Sequence, residues 1–313
     1  MTPDLPENPC TVIGAGPAGI SAVLWLRTFE LPHRWYASDG SVGGMLGRVE
    51  NPLENYPADN WENGSSLRDS LAEQLDELGG LSPDARHIEA LERRGDEWRL
   101  TTSEGESFAS KTVILATGTR YRHLGVPGES EGLGEYVSQS TSLDAERFGG
   151  RTVAIVGGGD AGFEGALQLA ERNASVHMLL RNDDFKARPL FVERVRASAR
   201  IFIHPIPSRI QRLEPLPNPR GCRIIVDTRG ERKTLEVACL FVRIGVDPVA
   251  PDVEPAVEKT PDGHVVVDRR QRTSAEGLYA IGDVTDTPVP SVAVAVGHGA
   301  RAAYAAAHSL GWC

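Results

Sequence analysis

The sequence predicts an α/β protein of two three-layer units, one inserted into the other, and three observations carry that prediction. A β-rich run, a glycine turn and a small-residue helix follow one another twice, 143 residues apart. Strand and helix signals alternate around these two points, as layered α/β folds with largely parallel sheets require. Two Pro- and Gly-rich passages, Arg120 to Gly134 and Gly245 to Pro255, read as the crossings between the units. The expected boundaries are 1–120 with 246–313 for one unit and 121–245 for the other.

Taken in order, Thr11-Val12-Ile13 is the first strand and Gly14-Ala15-Gly16-Pro17-Ala18-Gly19 its turn, with a helix from Ile20 to about Arg27. Arg34 to Ser38 is a strand ending at Asp39, and Lys111 to Leu115 leads into Ala116-Thr117-Gly118. Thr152 to Val156 repeats the opening pattern, followed by Gly157-Gly158-Gly159-Asp160-Ala161-Gly162 and a helix from Phe163 to about Arg172. Ser175 to Leu180 precedes Arg181, residues 205–221 with their five prolines read as a turn-rich connection, and Val237 to Val242 and Leu278 to Ile281 close the series. Each G-x-G-x-x-G stands after a strand and before a helix, the context in which the pattern has a mechanism. The first glycine makes the turn, the second admits a pyrophosphate, the third packs helix on strand, and the helix N-terminus offers unpaired N–H groups to phosphate. Two such motifs imply two Rossmann-like dinucleotide sites. Asp39 is placed to accept from a ribose, though Asp-Gly is equally a plain turn.

The 313 residues are 40% apolar and 24% charged, enough for a substantial core. With 33 Lys+Arg against 43 Asp+Glu, the net charge of -10 argues against nucleic acid as a partner. No apolar run reaches membrane-span length and the N-terminal residues are polar, so a cytoplasmic protein without a membrane partner is expected. Cysteines at 10, 222, 239 and 313 form neither a disulfide framework nor a metal cluster. From Arg172 to Lys233 there are 14 Lys/Arg against 6 Asp/Glu, a local +8 that is either a solvated face or a docking surface for anions.

The motifs together resemble the low-molecular-weight thioredoxin reductases among the FAD and pyridine-nucleotide oxidoreductases. The resemblance makes Gly14, Gly16, Pro17, Ala18 and Gly19 the FAD pyrophosphate loop, with Asp39 at the adenosine end. Glu54-Asn55-Tyr56-Pro57 is similar to the family's Glu-Asn-Trp/Tyr-Pro beside the flavin, which implicates Asn55. Gly43-Gly44-Met45 resembles Gly-Gly-Gln, with a weakly accepting thioether at Met45 in place of the amide. Ala116, Thr117 and Gly118 match Ala-Thr-Gly, and Gly282-Asp283 matches the Gly-Asp whose carboxylate holds the ribityl chain, although Asp283 also reads as a helix cap. His298, between Gly297 and Gly299, falls near the flavin end of its helix, either tuning the cofactor or only packing there. By the same resemblance Gly157, Gly159, Asp160, Ala161 and Gly162 hold the second dinucleotide, with Arg181 and Lys186 keeping two positive charges for the 2′-phosphate of NADPH and Arg243 nearby. NADH or another dinucleotide, even a second FAD, stays open.

The family's Cys-x-x-Cys is absent: Gln139-Ser140-Thr141-Ser142 stands at the matching place, and hydroxyls cannot enter thiol-disulfide exchange. The sequence therefore implies an oxidoreductase passing electrons from NAD(P)H through FAD to an acceptor such as ferredoxin, flavodoxin or a small molecule. An acidic electron-carrier partner and a homodimer are the implied associations. Alternatives are an atypical disulfide reductase using Cys313 or a partner's thiol, and a non-catalytic dinucleotide-binding protein. Trp312 is the candidate for a ring stacked on the flavin.

Overall fold

The structure, a computed structural model, describes residues 7–49, 52–57, 59–217 and 221–312. The chain divides into two compact units, Met1–Arg120 with Asp247–Cys313, and Tyr121–Val246.

The first unit is built on a four-stranded parallel sheet in the order Leu278–Ala280, Thr112–Leu115, Cys10–Ile13, His33–Tyr36. Three of these runs are apolar at most positions because both faces are covered, while the edge strand His33–Tyr36 buries only Trp35 and Tyr36. Val12 and Ile114 point to one face, with Ile20, Val23 and Leu26 of helix Pro17–Thr28 and a run of alanines in helix Val292–Ser309. The two helices approach closely at Gly299, where a Cβ would lie 2.5 Å from the Ala18 carbonyl oxygen. Ile13, Val113 and Leu115 point to the other face and meet Ile88, Leu91, Trp98 and Leu100 of a second sheet. That sheet contains Asp252–Glu254, Ile88–Arg94, Glu97–Thr102 and Ser107–Ser110, antiparallel through its last three strands. Trp98 is fully buried and its indole N–H donates to the Glu276 carbonyl at 3.1 Å.

The second unit repeats the plan. Its five parallel strands run Ile201–Ile203, Ser175–Leu179, Thr152–Val156, Leu240–Val242, Val137–Ser138. Val153, Ile155 and Phe241 face a core shared with Phe163, Ala166 and Leu169 of helix Asp160–Glu171. Ala154, Val156, Leu240 and Val242 face an antiparallel sheet of Ser208–Leu216, Gly221–Thr228 and Glu231–Val237.

Two expectations need correction here. Most of the proline-rich stretch 205–221 is a nine-residue strand, not a turn-rich connection. It survives because it is an edge strand: Pro215, opposite Cys222, has no N–H to give, and the register slips between Ile210 and Arg212. The run Val237 to Val242 is two strands, separated at Ala238 and Cys239, which leave the antiparallel sheet and enter the parallel one. Among the described residues no helix is long and apolar enough to cross a membrane, and no cluster of three metal-ligating side chains occurs.

Candidate functional site

A cavity of about 820 Å³ opens over the ends of the first parallel sheet. Gly14, Gly16, Pro17, Ala18, Asp39, Gly44, Met45, Ala116, Thr117, Gly118, Gly282 and Asp283 all line it, brought together from five separate stretches. Asn55 does not; it stands exposed in a turn.

The glycines of the first loop sort by what a side chain would meet. Gly14 has φ +112° and a Cβ there would lie 2.1 Å from the Ala116 carbonyl oxygen, while one on Gly19 would lie 2.0 Å from the Gly14 oxygen. Both are demanded by the fold. Gly16 is different, with ordinary φ of −73° and nothing within 4 Å of its Cβ position. The protein itself leaves that space clear. Helix Pro17–Thr28 begins here with no side-chain cap and no acidic residue in its first turn, so its N-terminal N–H groups and positive dipole end are available to an anion. A dinucleotide pyrophosphate fits this cradle.

The side chains around it are held locally. The Asp39 carboxylate accepts from the Ser41 N–H at 3.0 Å, and that backbone hydrogen bond lowers its pKa. The Thr117 hydroxyl donates to the Val249 carbonyl, and the Val249 N–H donates to the Gly118 carbonyl at 2.9 Å, which pins Ala-Thr-Gly beneath the cavity. Asp283 is raised above the usual carboxylate range by burial, opposed by His264. His298 does not line the cavity; its Nδ1 accepts from the Gly282 N–H at 3.4 Å, and burial, then Arg301, lowers its pKa. The ring thus steadies the Gly282-Asp283 turn as a neutral acceptor. Trp312 donates to the Phe29 carbonyl at 2.8 Å and packs on the helical core; it is not among the cavity-lining residues.

Sequence reasoning missed part of the wall. Ser38 Oγ and His87 Nδ1 meet at 2.9 Å beside Asp39, and Arg86, paired with Asp84 and Glu106, stands next to them. His87 precedes the first strand of the antiparallel sheet, and only that sheet's docking brings it here.

The second loop repeats the first. Gly157 has φ +143° and a Cβ there would lie 2.0 Å from the Arg243 carbonyl oxygen; one on Gly162 would lie 2.2 Å from the Gly157 oxygen. Gly159 has nothing within 4 Å and caps helix Asp160–Glu171, again without a side-chain cap. Asp160 instead accepts from the Arg188 N–H at 2.7 Å and pairs with its guanidinium at 3.0 Å. Ala161 sits half-buried in the first turn of that helix. The Lys186 N–H donates to the Gly158 carbonyl at 3.0 Å, so the segment after Leu179 folds back on the glycine turn with Arg181 and Lys186 exposed. Much of the local basic surplus is spent elsewhere: Arg172, Arg194, Arg212, Arg223 and Lys233 pair with neighbouring glutamates. Arg181 and Lys186 have no ion pair among the described residues.

The Gln139–Ser142 segment is built as a helix start. Ser140 is buried and its Oγ accepts from the Leu143 N–H at 3.3 Å, while Ser138 Oγ donates to Asp144 at 2.7 Å. Cys10, Cys222 and Cys239 are fully buried. Burial pushes the Cys10 and Cys222 thiols up to about 12 and raises Cys239 as well. Cys313 lies outside the described residues. Burial thus keeps Cys10, Cys222 and Cys239 protonated and away from solvent reagents. Peptide mapping after maleimide treatment of the folded protein is therefore expected to find these three cysteines unmodified, and modified once it is unfolded; labelling in the native state would show an open path to them.

Two glycine cradles on two doubly covered parallel sheets define a protein of the two-dinucleotide class. The chain belongs to the pyridine nucleotide-disulphide oxidoreductase family, matched over residues 8–299, whose members are FAD-dependent enzymes acting on NAD(P)H. It is 34% identical over 295 residues to the bifunctional thioredoxin reductase/thioredoxin of Mycobacterium leprae, covering 93% of this chain and 63% of that one. It is 32% identical to the thioredoxin reductase of Mycolicibacterium smegmatis, with 93% of each chain covered. Its fold is similar to that of Lactococcus lactis thioredoxin reductase, with a TM-score of 0.81, 27% identity, and 98% of this chain and 100% of that chain covered.

Proposed function

We propose that this chain passes electrons from NADPH through FAD to an acceptor other than thioredoxin, a small electron carrier such as ferredoxin or flavodoxin, or a small molecule. The observation that carries this reading is the missing dithiol: serine and glutamine stand where the resemblance places Cys-x-x-Cys, and the three described cysteines are buried, protonated thiols. The first unit takes FAD and the second the pyridine nucleotide. When bound, the flavin supplies hydride acceptance from the nicotinamide and onward electron transfer. The chain's own residues bind and orient. Gly16 leaves room for the pyrophosphate against the N-terminus of Pro17–Thr28, Asp39 serves the adenosine ribose, and Asp283 faces the ribityl side. Arg181 and Lys186, cations without ion-pair partners among the described residues, serve the 2′-phosphate and so select NADPH over NADH.

Anaerobic mixing with each nucleotide tests this. NADPH is expected to bleach the flavin at lower concentration than NADH does. Losing one charge-assisted contact costs about 1.5–3 kcal/mol, so Arg181→Ala is expected to reduce that preference roughly ten- to a hundredfold and leave NADH nearly unchanged. Equal losses for both nucleotides would make Arg181 a structural residue.

A further inference from the structure

In the cavity of the first unit, Gly14, Gly16 and the start of helix Pro17–Thr28 form the phosphate cradle at the end of Cys10–Ile13, and Asp39 follows His33–Tyr36, the strand beside it. A carboxylate after that second strand is where dinucleotide folds hold the adenosine ribose, so the base lies beyond Asp39. The segment 84–87 runs along this turn. The Ala37 N–H donates to the Asp84 carbonyl at 3.0 Å, and a Cβ on Gly40 would lie 2.9 Å from the Ala85 Cβ. The Ser38–His87 contact closes the same junction, and His87 leads directly into strand Ile88–Arg94.

That strand is irregular where it meets the cavity. Ile88 and Ala90 pair with Thr102 and Thr101, which are consecutive, so Glu89 has no residue opposite and forms a β-bulge. The core demands the extra residue: Ile88 and Leu91 both enter the same apolar cluster, although three residues apart they would fall on opposite faces of a regular strand. The bulge sets Glu89 in the cavity wall beside His87, exposed, with neither a hydrogen bond nor an ion pair among the described residues. An ionised carboxylate only accepts hydrogen bonds. Phosphate is repelled by it and the ribose hydroxyls have Asp39, so the donor left on the adenosine half of FAD is the 6-amino group of the adenine.

We propose that Glu89 is the residue that reads the base of FAD, its carboxylate accepting from the adenine 6-amino group. The assignment rests on the reading of this cavity as the FAD site with its adenosine at Asp39. A base carrying a 6-oxo group turns an acceptor toward the carboxylate, so the site selects adenine over hypoxanthine or guanine. Asp252 also lines the wall, on the neighbouring strand, but it stands in regular register opposite Ala90 and on a shorter side chain.

The test is competition between FAD and its hypoxanthine analogue, in which an oxo group replaces the 6-amino group. The FAD-loaded protein is exchanged against equal excesses of the two flavins, and the bound flavins are then counted by chromatography. Wild type is expected to retain FAD over the analogue about ten- to thirtyfold, the scale of one charge-assisted hydrogen bond. Glu89→Gln is expected to bring the ratio near one, because an amide can turn its oxygen to the amino group or its NH2 to the oxo group. Asp252→Asn is expected to keep the wild-type ratio. Near-equal retention in wild type, or a ratio kept in Glu89→Gln and lost in Asp252→Asn, overturns the role of Glu89 while the FAD site stands. A wild-type protein that retains neither flavin overturns both.

Discussion

Gly16→Val is expected to purify folded and colourless, while Gly14→Val is expected not to fold at all. The two glycines are two residues apart in one turn and differ only in what surrounds them. A Cβ at Gly14 would overlap the carbonyl of Ala116, which directly follows the central strand Thr112–Leu115 and is tied by its N–H to the Ile13 carbonyl at 2.7 Å, and the residue's φ of +112° is closed to valine. Neither conflict can be relieved by a side-chain rotation, so the cost exceeds about 4 kcal/mol, a large share of a domain's stability. Valine at Gly16 meets no protein atom within 4 Å of its Cβ and has an ordinary backbone conformation. Its methyl groups fill only the space left over the helix N-terminus. Blocking the pyrophosphate there removes several charge-assisted contacts at once, so FAD affinity is expected to fall more than about a hundredfold. Circular dichroism together with the flavin spectrum reads both halves; a yellow Gly16→Val protein would place the pyrophosphate elsewhere.

The second large effect is a zero. With NADPH and thioredoxin the protein is expected to show no disulfide reduction above the background without enzyme, and Ser142→Ala is expected to change nothing. Exchange with a disulfide needs a thiolate that can reach it. Ser140 is a helix cap, Ser142 has no thiol to offer, and Cys10, Cys222 and Cys239 are sealed in the cores. Ser140→Ala is expected to cost about 1 kcal/mol of stability through the lost cap, without creating or removing a redox function. Thioredoxin turnover that persists in Cys313→Ser would mean that electrons leave by a route outside this account.

Both glycine loops were legible because all their determinants are local: a strand, a turn that needs φ > 0, and a helix start lie within a dozen residues. The apolar strands were legible for the same reason, since a strand covered on both faces reads as a continuous run. The antiparallel layers were not. Ser208–Leu216 contains Pro215 and alternates weakly, and only its place at a sheet edge, opposite Gly221–Thr228, makes it a strand. The cavity wall at Ser38, His87 and Val249 was equally hidden, because sheet docking and the Thr117 hydrogen bond join segments far apart in the chain.

The claim that electrons pass through the flavin without a dithiol has a direct stoichiometric consequence, because a dithiol-disulfide couple is a second two-electron store. Anaerobic reductive titration of the FAD-loaded protein counts those stores. The account predicts that absorbance changes end after about one two-electron equivalent per flavin, in wild type and in Cys313→Ser alike; uptake of about two equivalents per flavin would contradict it.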